Sequence, residues 1–382
     1  MIDLSECRRK RDRIDSQIME LFMERQGVSA EVAAYKAASG KAVLDRARER
    51  QKIQRATELV SPELASYATV LQTVLMEASR DAQHQLLEDR TSDINNQIRE
   101  ALTHQSAYFP FRAKVACQGV EGAYQQIAVD RLFRQPQIEF CGTFEDVFDA
   151  VESGSSEFGV LPVENSTAGS VNRVYDLMRS RNAYIVRSCR LKIEHNLLVK
   201  PGARKEDVTI VYSHEQAIRQ CTRYLASMPN ARVHICENTA MAAEKVAQSE
   251  RSDVAAIASR DCAPLYGLEI CEHSVQDQSN NYTRFACISK DLAIYPGADR
   301  ASLVAILNHE PGSLYKVLAK FYALDINLIK LESRPIPGRD FEFMFYFDIE
   351  CPAAAPQFLS LMDSLTDACE ECRYLGSYSE VI

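Results

Sequence analysis

Hydrophobic and polar positions change their spacing twice along the chain. From Asp3 to about Asp89 apolar residues recur at helical spacing with almost no Gly or Pro, which predicts an all-helical region. From Lys114 short β-rich runs alternate with helices, which predicts an α/β region with mainly parallel sheets. From Ser302 the runs follow the order strand, helix, strand, strand, helix, strand. The pattern therefore predicts three folded regions.

Local signals set the boundaries of the predicted elements. Gly40 ends the first helix, and Asp45 is the expected N-cap of the second. Ser61 followed by Pro62 begins the third. The polar segment 91–112 is predicted to be a linker that is partly helical. Strands are predicted at residues 114–117, 158–162, 196–199, 208–212, 232–236, 254–258, 302–307, 326–331, 341–349 and 374–378.

The composition narrows the class of protein. The chain has 382 residues, of which 46% are hydrophobic and 25% charged, as expected for a soluble protein of two or three domains. A formal net charge of −9 leaves no dominant basic face for nucleic acid. The start of the chain has no apolar signal run and no window is long enough to span a membrane, so we expect a cytoplasmic protein.

The cysteines predict no metal site. Twelve are scattered along the chain, which is typical of a protein from a reducing compartment. Cys369 and Cys372 form one CxxC pair without a second ligand pair, and we interpret them as ordinary helix cysteines.

The first helix carries positive charge on an apolar stripe. Its members alternate spacings of four and three: Cys7, Arg11, Ile14, Ile18, Leu21, Arg25, Val28, Val32 and Tyr35. If this stripe faces the core, Arg25 needs an anion, because an unpaired buried charge is costly. Lys36 lies about 16 Å further along nearly the same face, so these two cations can flank one small ligand. Arg8 lies about 25 Å from Arg25 and must serve the site of another subunit.

The helical region resembles the all-helical chorismate mutase family over nearly its whole length. The residues that carry the resemblance are Arg8, Arg25, Lys36, Asp45, Arg48, Glu49 and Gln83. It implies an intertwined dimer in which Arg25 and the partner's Arg8 bind the two carboxylates of the substrate. It also implies that Lys36 and Gln83 hydrogen-bond the ether oxygen, while Asp45, Arg48 and Glu49 organise the ring-hydroxyl end.

The implied reaction of this region is a Claisen rearrangement. Such a rearrangement needs no nucleophile, only a compressed dianion and donors aimed at the oxygen that gains charge. Taken singly, Asp45 is equally a helix cap, and Arg48 and Glu49 are equally surface charges.

Three neutral polar loops follow or precede strands in the second region. Their sequences are Glu164-Asn165-Ser166-Thr167-Ala168-Gly169, Tyr212-Ser213-His214-Glu215 and Asn280-Asn281-Tyr282-Thr283-Arg284-Phe285. These loops supply donors for an anionic small molecule and contain no Cys-His pair or carboxylate dyad. Gly119 and Gly122 form a turn that permits close backbone approach to a ligand, but the G-x-G-x-x-G spacing of a dinucleotide site is missing. We expect one shared pocket and no cofactor.

The order of these loops resembles the prephenate dehydratase family from Lys114 to about Asp291. The resemblance implies a bilobal α/β domain of the kind seen in periplasmic binding proteins. It implies that the substrate site contains Asn165, Ser213, Gln220 and Thr283, with Thr283 central to catalysis. Val120 and Gln125 stand where the family usually has Pro and Ser.

The implied reaction expels carbon dioxide and water and leaves an aromatic ring. Thr283 either protonates the departing oxygen, orients it, or acts through water. From the residues alone, Ser213 with Gln216 is equally a capping box, Thr239 an N-cap and Thr283 a strand-edge residue.

The last region resembles the ACT regulatory domain, a ferredoxin-like α+β fold. Glu332-Ser333-Arg334-Pro335 and the turn Pro311-Gly312-Ser313-Leu314 carry the resemblance, and Tyr315 departs from one common form of it. The resemblance implies that phenylalanine binds between paired sheets and inhibits. The implied effector site includes Gly312, Leu314, Glu332, Ser333 and Arg334. The alternative for Glu332 and Arg334 is a weak surface salt bridge.

The whole chain is similar to the bifunctional P-protein family. The predicted domains are a mutase at 1–90, a linker at 91–112, a dehydratase at 113–293 and a regulatory domain at 299–382. The implied enzyme of phenylalanine biosynthesis converts chorismate to prephenate and then to phenylpyruvate, as a homodimer or higher oligomer. Two alternatives stay open: a dehydratase that accepts arogenate, and a phenylalanine-responsive binding protein without turnover.

Overall fold

The chain folds into two compact units, which meet in sequence between Ser92 and Asp93. This computed structural model describes residues 3–40, 43, 45–87, 92–336, 338–339 and 342–382. The predicted domain boundary at 90, the start of the linker at Thr91 and the start of one predicted strand at Phe341 lie outside the described residues.

The first unit is helical, as predicted. Its elements are α1 (Leu4–Ser39), α2 (Arg46–Glu58), a 3₁₀ turn (Pro62–Leu64) and α3 (Ala65–Leu87). Gly40 ends α1 in a left-handed conformation with φ of 65°. The Asp45 carboxylate caps α2 by accepting a hydrogen bond from the Arg48 backbone N–H at 3.0 Å. These local signals explain why the predicted end of the first helix and start of the second are confirmed. Ser61 instead precedes the 3₁₀ turn without a side-chain capping bond, and α3 begins at Ala65.

The apolar stripe of α1 is uncovered in a single chain. Ile14 is 49% exposed, Leu21 64% and Val28 53%. The side chains of α1 that the unit does bury are Ser29 and Ala33, which are small. The expectation that the stripe faces the core of its own chain is therefore wrong.

The second unit contains three sheets and ten α-helices among its described residues. The helices are α4 (Asp93–Thr103), α5 (Tyr124–Leu132), α6 (Phe144–Ser153), α7 (Asn172–Ser180), α8 (Glu215–Gln220), α9 (Thr222–Ala226), α10 (Thr239–Gln248), α11 (Cys262–Tyr266), α12 (Ser313–Ala323) and α13 (Pro356–Ala368).

The strands lie between these helices along the chain. They are β1 (Arg112–Gln118), β2 (Gln135–Cys141), β3 (Phe158–Asn165), β4 (Gly169–Ser170), β5 (Tyr184–Lys192), β6 (Asn196–Val199), β7 (Ile210–His214), β8 (Arg232–Cys236), β9 (Val254–Ala258), β10 (Glu269–Glu272), β11 (Tyr282–Ser289), β12 (Arg300–Leu307), β13 (Asn327–Pro335), β14 (Phe343–Glu350), β15 (Cys369–Tyr378) and β16 (Glu380–Val381). A 3₁₀ turn covers Lys205–Asp207.

Two of the sheets form a pair of lobes. The first sheet, in the first lobe, has the strand order β16-β5-β11-β3-β1-β2, with β4 paired to β3. The second sheet, in the second lobe, has the order β10-β6-β9-β7-β8. The chain leaves the first lobe after β5 and returns in β11, and these two strands are antiparallel neighbours.

Both sheets are mixed, so the prediction of mainly parallel sheets is wrong. In the first sheet β1 pairs in parallel with β2 and β3, whereas β11 pairs antiparallel with β3 and β5. In the second sheet β6 is antiparallel to both of its neighbours. The antiparallel pairs arise because the chain crosses between the lobes and comes back through the middle of the first sheet.

The third sheet is antiparallel and has the order β13-β14-β12-β15. With α12 and α13, its elements follow the β-α-β-β-α-β order. One face packs against the first lobe, where Tyr346 and Leu375 share a core with Phe148 and Met178. At Gly376, with φ of 126°, a Cβ would overlap the Ile185 carbonyl oxygen, so only glycine fits this approach.

Helix α4 lies within the segment predicted to be a linker. Its Ile98 is 0% exposed in the core formed with α13 and the third sheet, and Asn95 Nδ2 donates to the Leu359 carbonyl oxygen at 2.8 Å. Residues 93–103 are therefore folded onto the second unit.

Cys369 and Cys372 lie in β15, so their predicted helical placement is wrong. Over the part of the chain that the structure describes, no cluster of three or more His, Cys, Asp or Glu side chains could hold a metal ion. No helix of that part is long and apolar enough to cross a membrane.

Candidate functional site

The polar loops predicted from the sequence meet at a cavity between the two lobes. Asn165 ends β3 and Thr283 lies near the start of β11, and these two residues are direct partners in the pairing of the strands. Both line a cavity of about 530 Å³, together with Gln220 of α8 in the second lobe. The antiparallel return of β11 is what brings residues 118 positions apart into contact.

A ring of hydrogen bonds joins the loops. Asn165 Nδ2 donates to Asn281 Oδ1 and to Thr283 Oγ1, each at 2.8 Å. Asn281 Nδ2 donates to Gln220 Oε1 at 2.9 Å, and Gln220 Nε2 donates to Thr167 Oγ1 at 3.1 Å. The Thr167 hydroxyl donates to Asn165 Oδ1 at 2.8 Å, which closes the ring. Each amide therefore has its orientation fixed by its neighbours.

The ring determines what Thr283 offers to a ligand. Its Oγ1 accepts from Asn165 Nδ2, so its own O–H is available as a donor. The residue is 8% exposed and lines the cavity. A hydroxyl donor held in this way costs little reorganisation when charge develops on a nearby oxygen.

His195 also lines the cavity, and the sequence reasoning missed it. Its Nε2 lies 3.0 Å from Gln220 Oε1, and because that oxygen can only accept, Nε2 carries the hydrogen. Burial lowers the pKa of the imidazole below its ordinary value, against the hydrogen bond to Gln220, which raises it. His195 is therefore a neutral donor. The available signal was its position three residues after the end of β5, where the chain enters the second lobe.

Ser213 does not belong to the lining of the cavity. It is 0% exposed and its Oγ donates to the Ile257 carbonyl oxygen at 2.7 Å, within the second sheet. The predicted capping box is also wrong, because the cap of α8 is His214, whose Nδ1 accepts from the Gln216 backbone N–H at 3.3 Å. Thr239 is the first residue of α10, and Asn238 provides the cap.

The glycine turn before α5 serves two purposes. Gly119 and Gln125 line the cavity, whereas a Cβ at Gly122 would lie 3.0 Å from Cys262 Sγ. The close approach at Gly122 is therefore to α11 of the second lobe and not to a ligand. Val120 packs against the hydrophobic cluster of that lobe.

A second group of candidate residues lies in the first unit. Arg25 of α1 is half-buried and its Nη1 donates to Ser79 Oγ and to the Leu75 carbonyl oxygen, each at 2.5 Å. Lys36 Nζ donates to the Val43 carbonyl oxygen at 2.6 Å. Burial lowers the pKa of the Arg25 guanidinium, and the hydrogen-bond partners that the described residues supply to it are uncharged.

Lys52 of α2 is a further cation beside this group, and the sequence reasoning missed it. Partial burial lowers the pKa of its ammonium, and the positive charges of Arg25, Arg48 and Lys36 lower it further, while Glu49 opposes them. Arg25, Arg48 and Lys36 therefore lie close enough to Lys52 for their charges to act on it. We call Arg25, Lys36, Arg48 and Lys52 the cation cluster.

The other candidates of the first unit lie in different places. Gln83 is 7% exposed; its Nε2 donates to the Ser79 carbonyl oxygen at 3.0 Å, and its Oε1 has no hydrogen-bond partner among the described residues. Glu49 forms an ion pair with Arg80 of α3. Asp45 caps α2, which is the alternative role that the sequence predicted for this residue. Arg8, near the start of α1, is exposed.

The candidates of the third region occupy two different places. Gly312 and Leu314, at the start of α12, line a cavity of about 430 Å³ with Phe343 and Tyr315. Glu332 accepts a hydrogen bond from Ser170, and Arg334 pairs with Asp176 of α7 at 2.8 Å. Ser333 is exposed. Glu332 and Arg334 therefore contact the first lobe. The alternative expected from the sequence was a salt bridge at the surface of the hairpin.

Two stretches of the chain match families of known proteins. The family described as chorismate mutase type II matches residues 7–84, and the family described as prephenate dehydratase matches residues 115–293. A relative from Escherichia coli, the bifunctional chorismate mutase/prephenate dehydratase, is 31% identical over 97% of this chain and 95% of its own length.

Two solved structures have the same fold over 70% of this chain, each with a TM-score of 0.64. One is described as a novel type of quorum quenching acylase; it is 31% identical, and 98% of that chain is covered. The other is the prephenate dehydratase from Arthrobacter aurescens in complex with L-Phe; it is 24% identical, with 90% covered. One fold thus carries different described activities, so activity is argued from the sites.

The chain belongs to the family of bifunctional chorismate mutase/prephenate dehydratases, as the sequence resemblance indicated. The helical unit carries the mutase match and the paired lobes carry the dehydratase match.

Proposed function

We propose that the chain converts chorismate to prephenate at the cation cluster and prephenate to phenylpyruvate at the cavity between the lobes. The observation that carries the proposal is that each compact unit holds its own site of suitable chemistry. Four cations suit a dianion, and a fixed hydroxyl donor suits a departing hydroxyl group.

In the mutase step the cations bind the substrate and compress it. Arg25 takes one carboxylate, while Lys36 and an N–H of Gln83 donate to the ether oxygen, which gains charge as its bond to carbon breaks. Asp45, Arg48 and Glu49 organise the ring-hydroxyl end. The surroundings of Lys52 support this assignment, because burial and then the nearby positive charges lower the pKa of its ammonium, and a bound dianion relieves the second effect.

We further propose that two copies of the chain build each mutase site. The exposed apolar stripe of α1 needs a cover, and a second α1 of the same pattern is self-complementary. In such a dimer the partner's Arg8 reaches the second carboxylate. Arg8 of the same chain cannot do so, because about 25 Å of straight helix separates it from Arg25.

Subunit complementation tests the shared site. Arg8→Ala and Lys36→Ala are each expected to lack mutase activity. After the two variants are mixed and exchange subunits, about one quarter of the wild-type sites should be complete, because half of the dimers are mixed and each holds one intact site. No recovery, with exchange verified by a mass tag, would contradict the shared site.

In the dehydratase step the cavity holds prephenate, with Thr283 at the departing hydroxyl group. The bond to the carboxylate carbon breaks and its electron pair enters the ring, while the ring carbon–oxygen bond breaks and the oxygen leaves as water after it gains a proton. Thr283 donates to that oxygen, and Asn165, Gln220 and the neutral His195 hold the ring of hydrogen bonds that aims it.

The β-α-β-β-α-β region is proposed to be a ferredoxin-like ACT domain that binds phenylalanine as an inhibitor. The cavity at Gly312 and Leu314 is bordered by Phe343 and Phe345, which suits an aromatic side chain. Glu332, Ser333 and Arg334 lie elsewhere on the same sheet, so a paired sheet from a second copy has to bring the two groups together. We place the enzyme in the cytoplasm.

One assay separates these functions. Pure protein is given chorismate, prephenate or arogenate, and the loss of each and the gain of phenylpyruvate or phenylalanine are followed, with and without added phenylalanine. Lys36→Ala should abolish chorismate loss and leave prephenate turnover intact. Faster turnover of arogenate than of prephenate would support the arogenate alternative, and binding of phenylalanine without any turnover would support a sensor.

A further inference from the structure

The two strand ends that carry Asn165 and Thr283 also carry charged residues on their opposite side. Side chains alternate along a strand, so Glu164 and Arg284 point away from the cavity that their neighbours line. Glu164 of β3 and Arg284 of β11 are direct partners in the strand pairing, one step from the pair formed by Asn165 and Thr283.

Arg284 joins these strand ends to the third sheet. It is 8% exposed, and its Nη2 lies 2.9 Å from Glu164 Oε2 and forms an ion pair with Asp348 of β14. Asp348 Oδ1 accepts from Ser302 Oγ of β12 at 2.6 Å. Burial lowers the pKa of the Arg284 guanidinium, but the charge and hydrogen bond of Asp348, together with Tyr378 and Tyr175, raise it overall. The contact is therefore a buried, charged link between two sheets.

Lys330 of β13 forms the second link. Its Nζ lies 3.5 Å from Glu164 Oε1 and 3.2 Å from Glu332 Oε2. It also donates to Ser170 Oγ at 2.5 Å and to the Tyr175 hydroxyl at 2.9 Å. Ser170 belongs to β4 and lines the cavity. The Lys330 side chain is 10% exposed. It joins the third sheet to Glu164 and Ser170, which lie on either side of the loop that contains Asn165.

We propose that Arg284 and Lys330 are positioning residues of the dehydratase reaction, through which the third sheet fixes the alignment of Asn165 and Thr283. The proposal rests on the proposed role of Thr283 as donor. Glu164 accepts from both cations and is bonded along the chain to Asn165, so a shift of the third sheet moves Glu164 or leaves charges unpaired. Buried charges resist the second outcome, so the strand ends follow the sheet.

The test uses the full chain and changes Lys330, which lies outside the cavity. In Lys330→Met the dehydratase kcat should fall about fivefold, with KM for prephenate nearly unchanged, because alignment and not binding is lost. Lys330→Arg, which keeps the charge, should recover most of kcat. The mutase rate of the same preparation reports that the protein is intact, since its site lies in the other unit.

The matched control is Arg373→Met. Arg373 of β15 is also a half-buried cation of the third sheet, and it also contacts the first lobe, by donating to the carbonyl oxygens of Arg179 and Arg181 at the end of α7. Its hydrogen bonds within the part of the chain that the structure describes go to α7 and not to Glu164, so its loss should leave the dehydratase kcat unchanged.

Two results would overturn the proposal. One is an unchanged kcat in Lys330→Met, and the other is an equal fall in Arg373→Met, which would indicate general loosening between the sheet and the lobe. Both are distinct from failure of the proposed function, which would appear as absence of prephenate turnover in the wild-type chain.

Discussion

Replacing Thr283 with valine removes one hydroxyl group and little else. Valine has nearly the same shape, and the side chain is 8% exposed in a packed environment. Asn165 Nδ2 loses the acceptor of one of its two N–H groups but keeps Asn281 Oδ1 at 2.8 Å, which still fixes the orientation of the amide. The substitution therefore tests the donor that Thr283 offers to the cavity, with the rest of the ring in place.

The structure sets the magnitude of the effect. One neutral hydrogen bond is lost from the folded state, which should lower the free energy of unfolding by about 1 kcal/mol. A preorganised donor to an oxygen that gains charge is worth about 3 to 4 kcal/mol in the transition state, so kcat for prephenate should fall about 10²- to 10³-fold. The loss of activity thus greatly exceeds the loss of stability.

Phenylpyruvate formation and chorismate loss are measured on the same preparation. Thr283→Val should convert chorismate at the wild-type rate and accumulate prephenate. Thr283→Ser, which keeps the hydroxyl group, is the matched control and should retain most of kcat. If the valine variant kept more than about a tenth of kcat, or the serine variant fell as far as the valine variant, donation by this hydroxyl would not be the step that matters.

Two further predictions concern His195 and Ile98. Because burial lowers the pKa of His195, the unfolded chain binds more protons than the folded chain just below pH 6.5. The folded state should therefore lose stability as the pH falls through that range. His195→Gln keeps an Nε2 donor but does not titrate, so its free energy of unfolding should fall less between pH 7 and pH 5 in denaturant titrations. Ile98→Ala should destabilise the second unit by about 2 to 4 kcal/mol and lower its melting temperature, because the side chain is fully buried. Arg99→Ala, on the exposed side of α4, is the control and should have little effect. Equal effects of the two substitutions would mean that α4 is only a linker.

Local chemistry made much of the fold predictable. Gly40 and Asp45 act within one helical turn, so their effects can be inferred from neighbouring residues alone. Strands β6, β8 and β9 have the predicted bounds because short apolar or β-branched runs end at clear polar residues. The strand predicted at 208–212 lies at Ile210–His214, since the preceding residues are taken by a 3₁₀ turn.

Long-range packing could not be predicted in the same way. The antiparallel insertion of β11 beside β3 depends on the path of the chain through the second lobe, and no local pattern encodes that path. Ser213 looked like a site residue because it follows a strand, but its side chain points into the second sheet, while the next residue, His214, reaches the cavity. The exposure of the α1 stripe likewise depends on which faces the other helices of the unit cover, and no local pattern encodes that.

The pairing of β5 with β11 has a consequence for movement. The chain passes from one lobe to the other at Ile193 and returns at Asn281, and the Ile193 backbone N–H donates to the Asn281 carbonyl oxygen at 2.8 Å. Any hinge rotation that widens the cleft must bend this two-stranded pivot, which lies two residues from both His195 and Thr283. The width of the cleft is thereby coupled to the positions of His195 and Thr283, which both line it.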